Sequence, residues 1–192
     1  LQANVASSNV TCKGANDGTI SITAPLGGYG TYQYSINGGT TWQPTGLYTA
    51  QIPGTYDVRI RDAANPLCFI ILNAGLQITE PVVLSGTVIK TDISCFGSAD
   101  GQIQITNSAG GYGTYEYSDN GGGAWQATGL FTTLNEATYS DQITDKEYQA
   151  CVTIIDPSGI DTAPALIKET VNRTNVTCSC ANYGTRTITA PS

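Results

Sequence analysis

The cysteines are the residues of this chain with the clearest capacity for chemistry, because five of the six keep one interval. Cys12, Cys95 and Cys178 are spaced 83 residues apart, and so are Cys68 and Cys151. Zinc sites usually contain cysteines and histidines in close pairs, but this chain has no His and Cys12 lies 56 residues from Cys68. The pattern favours disulfides, and therefore an oxidising compartment.

Aromatic residues near glycine-rich loops form a second candidate site. Tyr29 and Tyr112 lie at the centres of two Gly-Tyr-Gly segments, and Tyr48 and Phe131 are further candidates. Such rings could stack on sugar rings as aromatic platforms do. The alternative, which is favoured, is that these rings pack against their own hairpin or against the neighbouring repeat.

Acidic residues give little support for a metal site or an active site. Asp17 and Asp100 each precede a glycine, but calcium needs six or more oxygen ligands and no second carboxylate is close in sequence. A plain turn is the favoured interpretation. No Ser, Cys or Lys has a recognisable nucleophile context, and no pair of carboxylates recurs as glycoside hydrolysis would require. We predict no catalytic residues, no metal, no cofactor and no enzyme activity.

The elements that position these residues belong to a tandem repeat. Residues 27–49 return at residues 110–132 without insertion or deletion, which indicates an array of one structural unit. We predict a first repeat over 1–81, a second over 82–164, and a partial third, with its first strands only, over 165–192. The phase of the repeat at the two termini predicts a segment of a longer array.

Each repeat is predicted to be an immunoglobulin-like antiparallel β-sandwich in an all-β chain. About seven short strands alternate with turn signals, as in such sandwiches. The segment Gly54-Thr55-Tyr56 has the placement of a tyrosine corner. Residues 35–42 resemble the Asp-box turn of sialidases with Asn37 for Asp, which predicts a hairpin held by its own side chain. Trp42 and Trp125 should be mostly buried against their hairpins.

One residue of the second repeat disagrees with the strand pattern. Asp141 stands where Val58 stands in the first repeat, at an inward-facing position. An unpaired buried carboxylate is costly, so either the strand is bulged there or the side chain reaches the rim. The surrounding residues 140–149 give the weakest strand prediction in the chain.

The predicted strand order also suggests which cysteines pair. Cys12 precedes the second strand and Cys68 follows the penultimate one, so both are expected near the same pole of the sandwich. We therefore predict one disulfide within each repeat, Cys12–Cys68 and Cys95–Cys151. Cys178 and Cys180 have no assigned partner in this chain, and Cys178 would pair in an intact array with a cysteine further along.

The composition excludes several classes of partner. Only 12% of residues are charged and the net charge is −7, so the surface repels phosphate backbones and nucleic acid is not expected to bind. No apolar run approaches the roughly 18 residues that a membrane span needs. Low charge with many hydroxyl and amide side chains is typical of extracellular β-rich proteins.

Together the motifs resemble the SprB repeat family of Bacteroidetes surface adhesins. The resemblance rests on NVTCKGANDGTISI (9–22), TYQYSINGGTTWQ (31–43), GTYDVRIRDAANPLC (54–68) and ITEP (78–81). It implies β-sandwich repeats strung into long filaments on the bacterial cell surface, exported by the type IX system and used in gliding, attachment or polysaccharide contact. Thr162, in Asp-Thr-Ala, resembles the short O-glycosylation motif of Bacteroidetes.

We therefore predict a structural and adhesive segment of a bacterial cell-surface filament. In this role, disulfide-stapled repeats would form a semi-rigid stalk whose partners are neighbouring repeats of the same polypeptide, with surface polysaccharide as a candidate ligand. Two alternatives remain open. The chain could be a carbohydrate-binding module that uses the loop aromatics, or a subunit that polymerises by donating strands.

Overall fold

The computed structural model describes residues 1–167, 170–174 and 185–189. The first repeat contains β1 (Gln2–Ser8), β2 (Gly18–Leu26), β3 (Tyr32–Ser35), β4 (Leu47–Gln51), β5 (Gly54–Asp62) and β6 (Phe69–Ile78). The second contains β7 (Ser85–Thr91), β8 (Gly101–Ala109), β9 (Tyr115–Ser118), β10 (Leu130–Leu134), β11 (Ala137–Asp145) and β12 (Val152–Asp161). Beyond them, β13 (Thr170–Thr174) and β14 (Thr185–Thr189) form an antiparallel pair. Within these ranges, no helix has the length and apolar character that a membrane crossing requires.

Both repeats fold into two three-stranded antiparallel sheets with the same strand order. In the first repeat one sheet has the order β1-β2-β4 and the other has the order β3-β5-β6. The second repeat has the corresponding sheets β7-β8-β10 and β9-β11-β12. These six strands correspond to strands A, B and E and strands C, F and G of an immunoglobulin-like sandwich. The predicted all-β, immunoglobulin-like class is confirmed.

Each repeat has six strands where about seven were predicted, because the segment after the hairpin that follows the third strand does not form one. The segment that begins at Trp42 makes one isolated bridge, in which Tyr34 and Gln43 exchange two backbone hydrogen bonds of 2.8 and 3.0 Å. The chain then crosses to the other sheet, where the Gly46 carbonyl accepts a 2.8 Å hydrogen bond from the Ile22 amide. Because the crossing follows the bridge so closely, no strand can extend between the two contacts.

The core of the first repeat lies between its sheets and follows the sequence alternation. Inward-facing residues of β2 and β5 are almost fully buried, and they pack with residues from the loops and the other strands. The cluster consists of Val10, Ile20, Ile22, Tyr34, Val58, Ile60 and Ile78. Full burial of a side chain of this size stabilises the fold by about 1.5–3 kcal/mol, so these positions supply the main driving force for folding.

The hairpin after β3 is held by its own side chains, as predicted. Asn37 Oδ1 accepts hydrogen bonds from the Ser35 hydroxyl at 2.9 Å and from the Thr41 amide at 3.0 Å. Trp42 is partly buried on this turn, and its Nε1–H donates a 2.8 Å hydrogen bond to the Gly39 carbonyl. The same serine–asparagine arrangement recurs in the second repeat. These bonds give the Asp-box-like segment a structural role.

The tyrosine corner is also confirmed in both repeats. The Tyr56 hydroxyl donates a 2.7 Å hydrogen bond to the Ile52 carbonyl. At the equivalent place in the second repeat, the Tyr139 hydroxyl donates to the Asn135 carbonyl at 2.9 Å. Each bond ties the beginning of a long strand to the turn that precedes it.

Asp141 is fully buried in the second repeat, so the predicted rim position is wrong. The predicted bulge is confirmed, because the β11–β12 register shifts on both sides of this residue. Its side chain is 0% exposed, and neither carboxylate oxygen has a hydrogen-bond partner among the described residues. Burial is the main cause that raises the pKa of Asp141 to about 6, while Lys90 lowers the pKa and Asp156 and Asp119 raise it.

We predict that Asp141→Val raises the free energy of unfolding at pH 7 by about 1–3 kcal/mol, because it removes a buried unpaired carboxylate. An acid whose pKa is higher in the folded chain makes stability fall as the pH rises between the unfolded and folded values. Those values are about 4 and about 6. Urea unfolding from pH 4 to pH 7 should therefore show a loss of stability in the wild type that the variant lacks.

The exposed residue Asp92 offers a matched control. Asp92→Asn also removes a carboxylate from the second repeat, but the side chain lies at the surface, so its pH profile should follow that of the wild type. Parallel pH profiles for the wild type and Asp141→Val would contradict the prediction.

Candidate functional site: the junction between the repeats

A disulfide joins the two repeats. Cys12 of the first is bonded to Cys151 of the second, with 5.4 Å between their Cα atoms and a sequence separation of 139 residues. Cys68 and Cys95 are free and exposed. The predicted pairs Cys12–Cys68 and Cys95–Cys151 are therefore wrong: the bridge connects neighbouring repeats and does not close each repeat on itself.

The reason is that the two cysteine-bearing loops of a repeat lie at opposite poles. β1 and β4 both run antiparallel to β2, and β5 reverses after the short turn that follows β4, so β5 runs opposite to β1. The β1–β2 loop, with Cys12, therefore lies at one pole and the β5–β6 loop, with Cys68, at the other. The Cys12 pole is where the first repeat ends, because the Val10 amide donates a 3.1 Å hydrogen bond to the Thr79 carbonyl. We call this pole the end pole.

The pole that carries Cys68 is where the repeat begins, and we call it the start pole. Here the Ala63 amide donates a 2.9 Å hydrogen bond to the Thr31 carbonyl in the β2–β3 loop. This loop also lies against Leu1, since a Cβ built on Gly27 would be 3.1 Å from the Leu1 nitrogen. The start pole of the second repeat follows the end pole of the first, which is how Cys151 comes to meet Cys12.

A buried aspartate organises the start pole. Asp62 is 1% exposed, and its Oδ2 atom accepts a 2.5 Å hydrogen bond from the Tyr29 amide. Its Oδ1 atom accepts hydrogen bonds of 2.8 and 3.2 Å from the amides of Ala64 and Asn65. These N–H donors, that of Tyr29 foremost, lower the pKa of Asp62. The carboxylate thus holds together the β2–β3 loop and the loop that leads to Cys68.

The second repeat contains the same arrangement, which was absent from the predicted site residues. Asp145 is 0% exposed and accepts a 2.5 Å hydrogen bond from the Tyr112 amide. Gly111 has a φ of +58°, and a Cβ there would lie 2.6 Å from Asp145 Oδ2. A larger residue would displace the carboxylate, so the glycine is required. The signal in the sequence was an aspartate that keeps the 83-residue interval of the cysteines.

We predict that Asp62→Asn lowers the urea midpoint more than Asp57→Asn does. Asp62 accepts hydrogen bonds from three backbone donors, and an amide cannot accept from all of them, whereas Asp57 is in a partly exposed pair with Arg59. Because the pKa of Asp62 is lowered on folding, its stabilisation is present above the unfolded pKa of about 4 and is lost as the pH falls through the folded pKa. Equal midpoints for the two variants would contradict this role.

Tyr112 reaches across the junction from the tip of the β8–β9 loop. Its hydroxyl donates a 2.7 Å hydrogen bond to the Val10 carbonyl of the first repeat. Its ring lies 4.8 Å from the ring of Tyr148, centre to centre. The Cys151 sulfur lies 3.2 Å from the Thr11 carbonyl oxygen. The packing interpretation is confirmed for Tyr112, which contacts the neighbouring repeat.

The linker completes the junction. Pro81, Val82, Val83 and Leu84 line a cleft of about 100 Å³ together with both bonded cysteines. Leu84 is buried, and the Val82 carbonyl accepts a 2.9 Å hydrogen bond from the Gly111 amide. The two repeats are therefore connected by a disulfide, a tyrosine hydrogen bond and a linker bound to the second repeat.

The other candidate aromatics have different surroundings. Tyr29 is 80% exposed, whereas Tyr112 is 42% exposed. Tyr48 packs against the core of the first repeat, and burial raises the pKa of its hydroxyl to about 12. Phe131, its counterpart on β10, is partly buried. Tyr29 is therefore the most accessible of the four.

The two candidate calcium ligands close turns. Asp17 accepts hydrogen bonds from the Thr11 hydroxyl at 2.6 Å and the Thr11 amide at 2.9 Å. Asp100 accepts from the Ser94 hydroxyl at 2.5 Å and the Ser94 amide at 3.0 Å. The hydroxyl donor is the main cause that lowers the pKa of each carboxyl. These bonds support the turn interpretation.

The roles predicted for Cys178, Cys180 and Thr162 stay untested, as does glycan contact by the loop aromatics. Cys178 and Cys180 lie outside the described residues. Thr162 is exposed, and its carbonyl accepts a 3.1 Å hydrogen bond from the Ile93 amide. Its glycosylation remains a prediction.

Comparison with known proteins identifies the repeat. A family model described as the SprB repeat matches residues 4–41 and 87–124. The chain carries two SprB repeats. Each match runs from the first strand of a sandwich into the hairpin after its third strand, and the two matches keep the interval of the cysteines.

Two further comparisons concern whole proteins. No curated protein sequence matches this chain significantly. Among solved structures, it is similar to the crystal structure of a C-terminal 282-residue fragment of intimin in complex with the intimin-binding domain of the translocated intimin receptor. The sequence identity is 12% and the TM-score is 0.41, and the alignment covers 82% of this chain and 64% of the intimin fragment chain.

We predict that Tyr112→Phe loosens the junction without destabilising either SprB repeat. The variant keeps the ring but loses the hydroxyl donor, and a hydrogen bond of this kind contributes about 0.5–1.5 kcal/mol. With the disulfide reduced, thermolysin should cut the linker at Val82 and Val83 roughly threefold to tenfold faster. Tyr29→Phe makes the same chemical change at the exposed counterpart and should leave the rate unchanged. Equal rates for the two variants would argue against the cross-junction bond.

Proposed function

We propose that this chain is a structural segment of an extracellular bacterial adhesin or surface filament, in which SprB repeats act as a disulfide-stapled stalk in attachment or gliding. The units of the stalk are residues 1–81 and 82–164, with residues 165–192 beginning a third. The observation that carries the proposal is the Cys12–Cys151 bridge between two repeats. The proposed partners are neighbouring repeats, and the role requires no catalysis, metal or cofactor.

The bridge supports a mechanical role because of where it enters each repeat. Cys12 lies near the beginning of the first repeat and Cys151 lies near the end of the second. Tension applied to the ends of the two-repeat segment would pass from one cysteine to the other through the sulfur atoms. Residues 13–150, which contain β2 to β11, lie within the closed loop and would be relieved of tension.

Only the two outer strands remain outside the closed loop. β1 pairs with β2, and β12 pairs with β11. The second of these strands is also tied to the opposite sheet, because Lys90 on β7 forms a 2.6 Å ion pair with Asp156 on β12. Extension of the stapled segment would therefore be limited to peeling two edge strands, and most of both cores would stay folded.

Single-molecule force spectroscopy tests the proposal. The chain is held by its N-terminus and by a handle placed after residue 164, and it is pulled until extension stops. Because the bridge joins residues separated by 139 positions in the chain, and an extended chain gains about 3.3–3.6 Å per residue, the oxidised chain should extend by roughly 460–500 Å less than a Cys12→Ser/Cys151→Ser variant. The matched control is Cys68→Ser/Cys95→Ser, which keeps the bridge and should extend like the wild type. Equal extension of the oxidised chain and the bridge-less variant would refute the stapled stalk.

A further inference from the structure

The free thiol of Cys68 has the same backbone surroundings as the bonded Cys151. The Cys68 amide donates a 2.8 Å hydrogen bond to the Asn65 carbonyl, and the Cys151 amide donates a 2.7 Å bond to the Tyr148 carbonyl. Both cysteine carbonyls accept from the amide of the buried aspartate of their repeat, at 3.0 and 3.3 Å. Cys68 is therefore held in the position from which Cys151 forms its disulfide.

The free thiol of Cys95 matches the bonded Cys12 in the same way. The Cys12 carbonyl accepts a 3.1 Å hydrogen bond from the Ala15 amide, and the Cys95 carbonyl accepts a 3.0 Å bond from the Ser98 amide. The residue before each cysteine is bonded to the aspartate of the following turn. Both free thiols are exposed, so each is accessible to a partner.

The residues that form the other junction contacts also have equivalents at the two outer poles of the two-repeat segment. Tyr29, at the start pole of the first repeat, is in the position of Tyr112 and is 80% exposed. Ile93, at the end pole of the second repeat, is the counterpart of Val10. The Ile93 amide donates a hydrogen bond to the Thr162 carbonyl, just as the Val10 amide donates one to the Thr79 carbonyl. The start pole of the first repeat and the end pole of the second thus carry the two complementary sides of a further junction.

We propose that Cys68 and Cys95 each form a disulfide with another SprB repeat docked head to tail. Cys68 would bond to the Cys12-type cysteine of a preceding repeat, and Cys95 would bond to the Cys151-type cysteine of a following one. The inference rests on the proposed stalk function and names its covalent partner. A head-to-tail contact whose rotation does not close into a ring generates a linear assembly, so one bridge per junction would run along the whole array.

Each new bridge requires the oxidation of two thiols, for which a small-molecule disulfide such as oxidised glutathione is the oxidant. The deprotonated sulfur of Cys95 attacks this disulfide, forms a mixed disulfide and releases one glutathione thiolate. The deprotonated partner cysteine then attacks the Cys95 sulfur and releases the second. Two protein thiols are oxidised, one small disulfide is reduced to two thiols, and the two protons pass to the released thiolates.

Addition of one repeat in phase tests the proposal directly. A second copy of residues 82–164 is joined after residue 164 in place of residues 165–192, and the chain is oxidised with glutathione. Peptide mapping without reduction should find Cys95 bonded to the added copy's cysteine equivalent to Cys151, with Cys12–Cys151 retained. Two thiols should remain, at Cys68 and at the added copy's counterpart of Cys95. A matched chain with serine for the added copy's Cys151 should return Cys95 to the free state.

A Cys95 that stays a thiol in the extended chain, or that bonds to Cys151 of its own repeat, would overturn the inference. The unaltered 192-residue chain provides a second measurement that does not depend on folding of the added repeat. Oxidised at high concentration, it should form oligomers that contain a Cys68–Cys95 cross-link between two molecules. Cys68→Ser should abolish this cross-link, and Tyr29→Phe should slow it.

Oligomers joined only through Cys68–Cys68 or Cys95–Cys95 pairs would contradict the head-to-tail geometry. These outcomes are separate from the test of the proposed function. A shorter extension of the oxidised chain in the force experiment, together with a free Cys95 thiol in the extended chain, would refute this inference but support the proposed stalk. Equal extension of the oxidised chain and the bridge-less variant would refute the stalk, whether or not Cys95 forms a disulfide.

Discussion

The alternation of strand direction within each sandwich is the constraint on which the rest of the structure depends. Six alternating strands alone would return the chain to the pole at which it entered, but the segment from Trp42 to Gly46 runs back beside β3 before β4 begins. This additional reversal makes the chain enter a repeat at the start pole and leave it at the end pole. The same alternation separates Cys12 from Cys68, because the β1–β2 and β5–β6 loops lie at opposite poles. A repeat of this topology presents one cysteine to the repeat before it and one to the repeat after it. The disulfide between repeats is a consequence of this arrangement.

A buried aspartate in each repeat positions the groups that form the junction. Asp62 and its equivalent Asp145 bind both the glycine-rich loop and the loop that leads to the second cysteine of the repeat. The tyrosine that crosses the junction and the cysteine that bonds across it are therefore positioned by the same buried group. Backbone N–H donors lower the pKa of Asp62, whereas Asp141, which lacks such donors, has a raised pKa. Two buried aspartates thus have opposite effects on stability, and the available hydrogen bonds decide which.

The position of the disulfide determines which residues it would protect from tension. A bridge within one repeat would protect part of that repeat and leave the linker as the only covalent connection between sandwiches. The Cys12–Cys151 bridge adds a second covalent connection and encloses ten of the twelve strands of the two repeats. The enclosed loop is long, and loop-closure entropy suggests a stabilisation of up to about 5 kcal/mol for such a bridge. Extension would then be confined to the outer strands.

The sequence by itself determined the repeat length, the all-β class, the tyrosine corners and the hairpin held by Asn37, because each of these depends on residues that are close together in the chain or that recur at a constant interval. The pairing of the cysteines was decided only by the tertiary structure. A period of 83 residues is equally compatible with a bond from Cys12 to Cys68 and with a bond from Cys12 to Cys151, since both repeat along the array. The choice depends on which pole each loop occupies, and therefore on the number and direction of the strands between them. The position of Asp141 opposite Val58 indicated that it faces inward, but the cost of a buried carboxylate left the rim as an alternative. Only the packing of the two sheets shows that the carboxylate is enclosed.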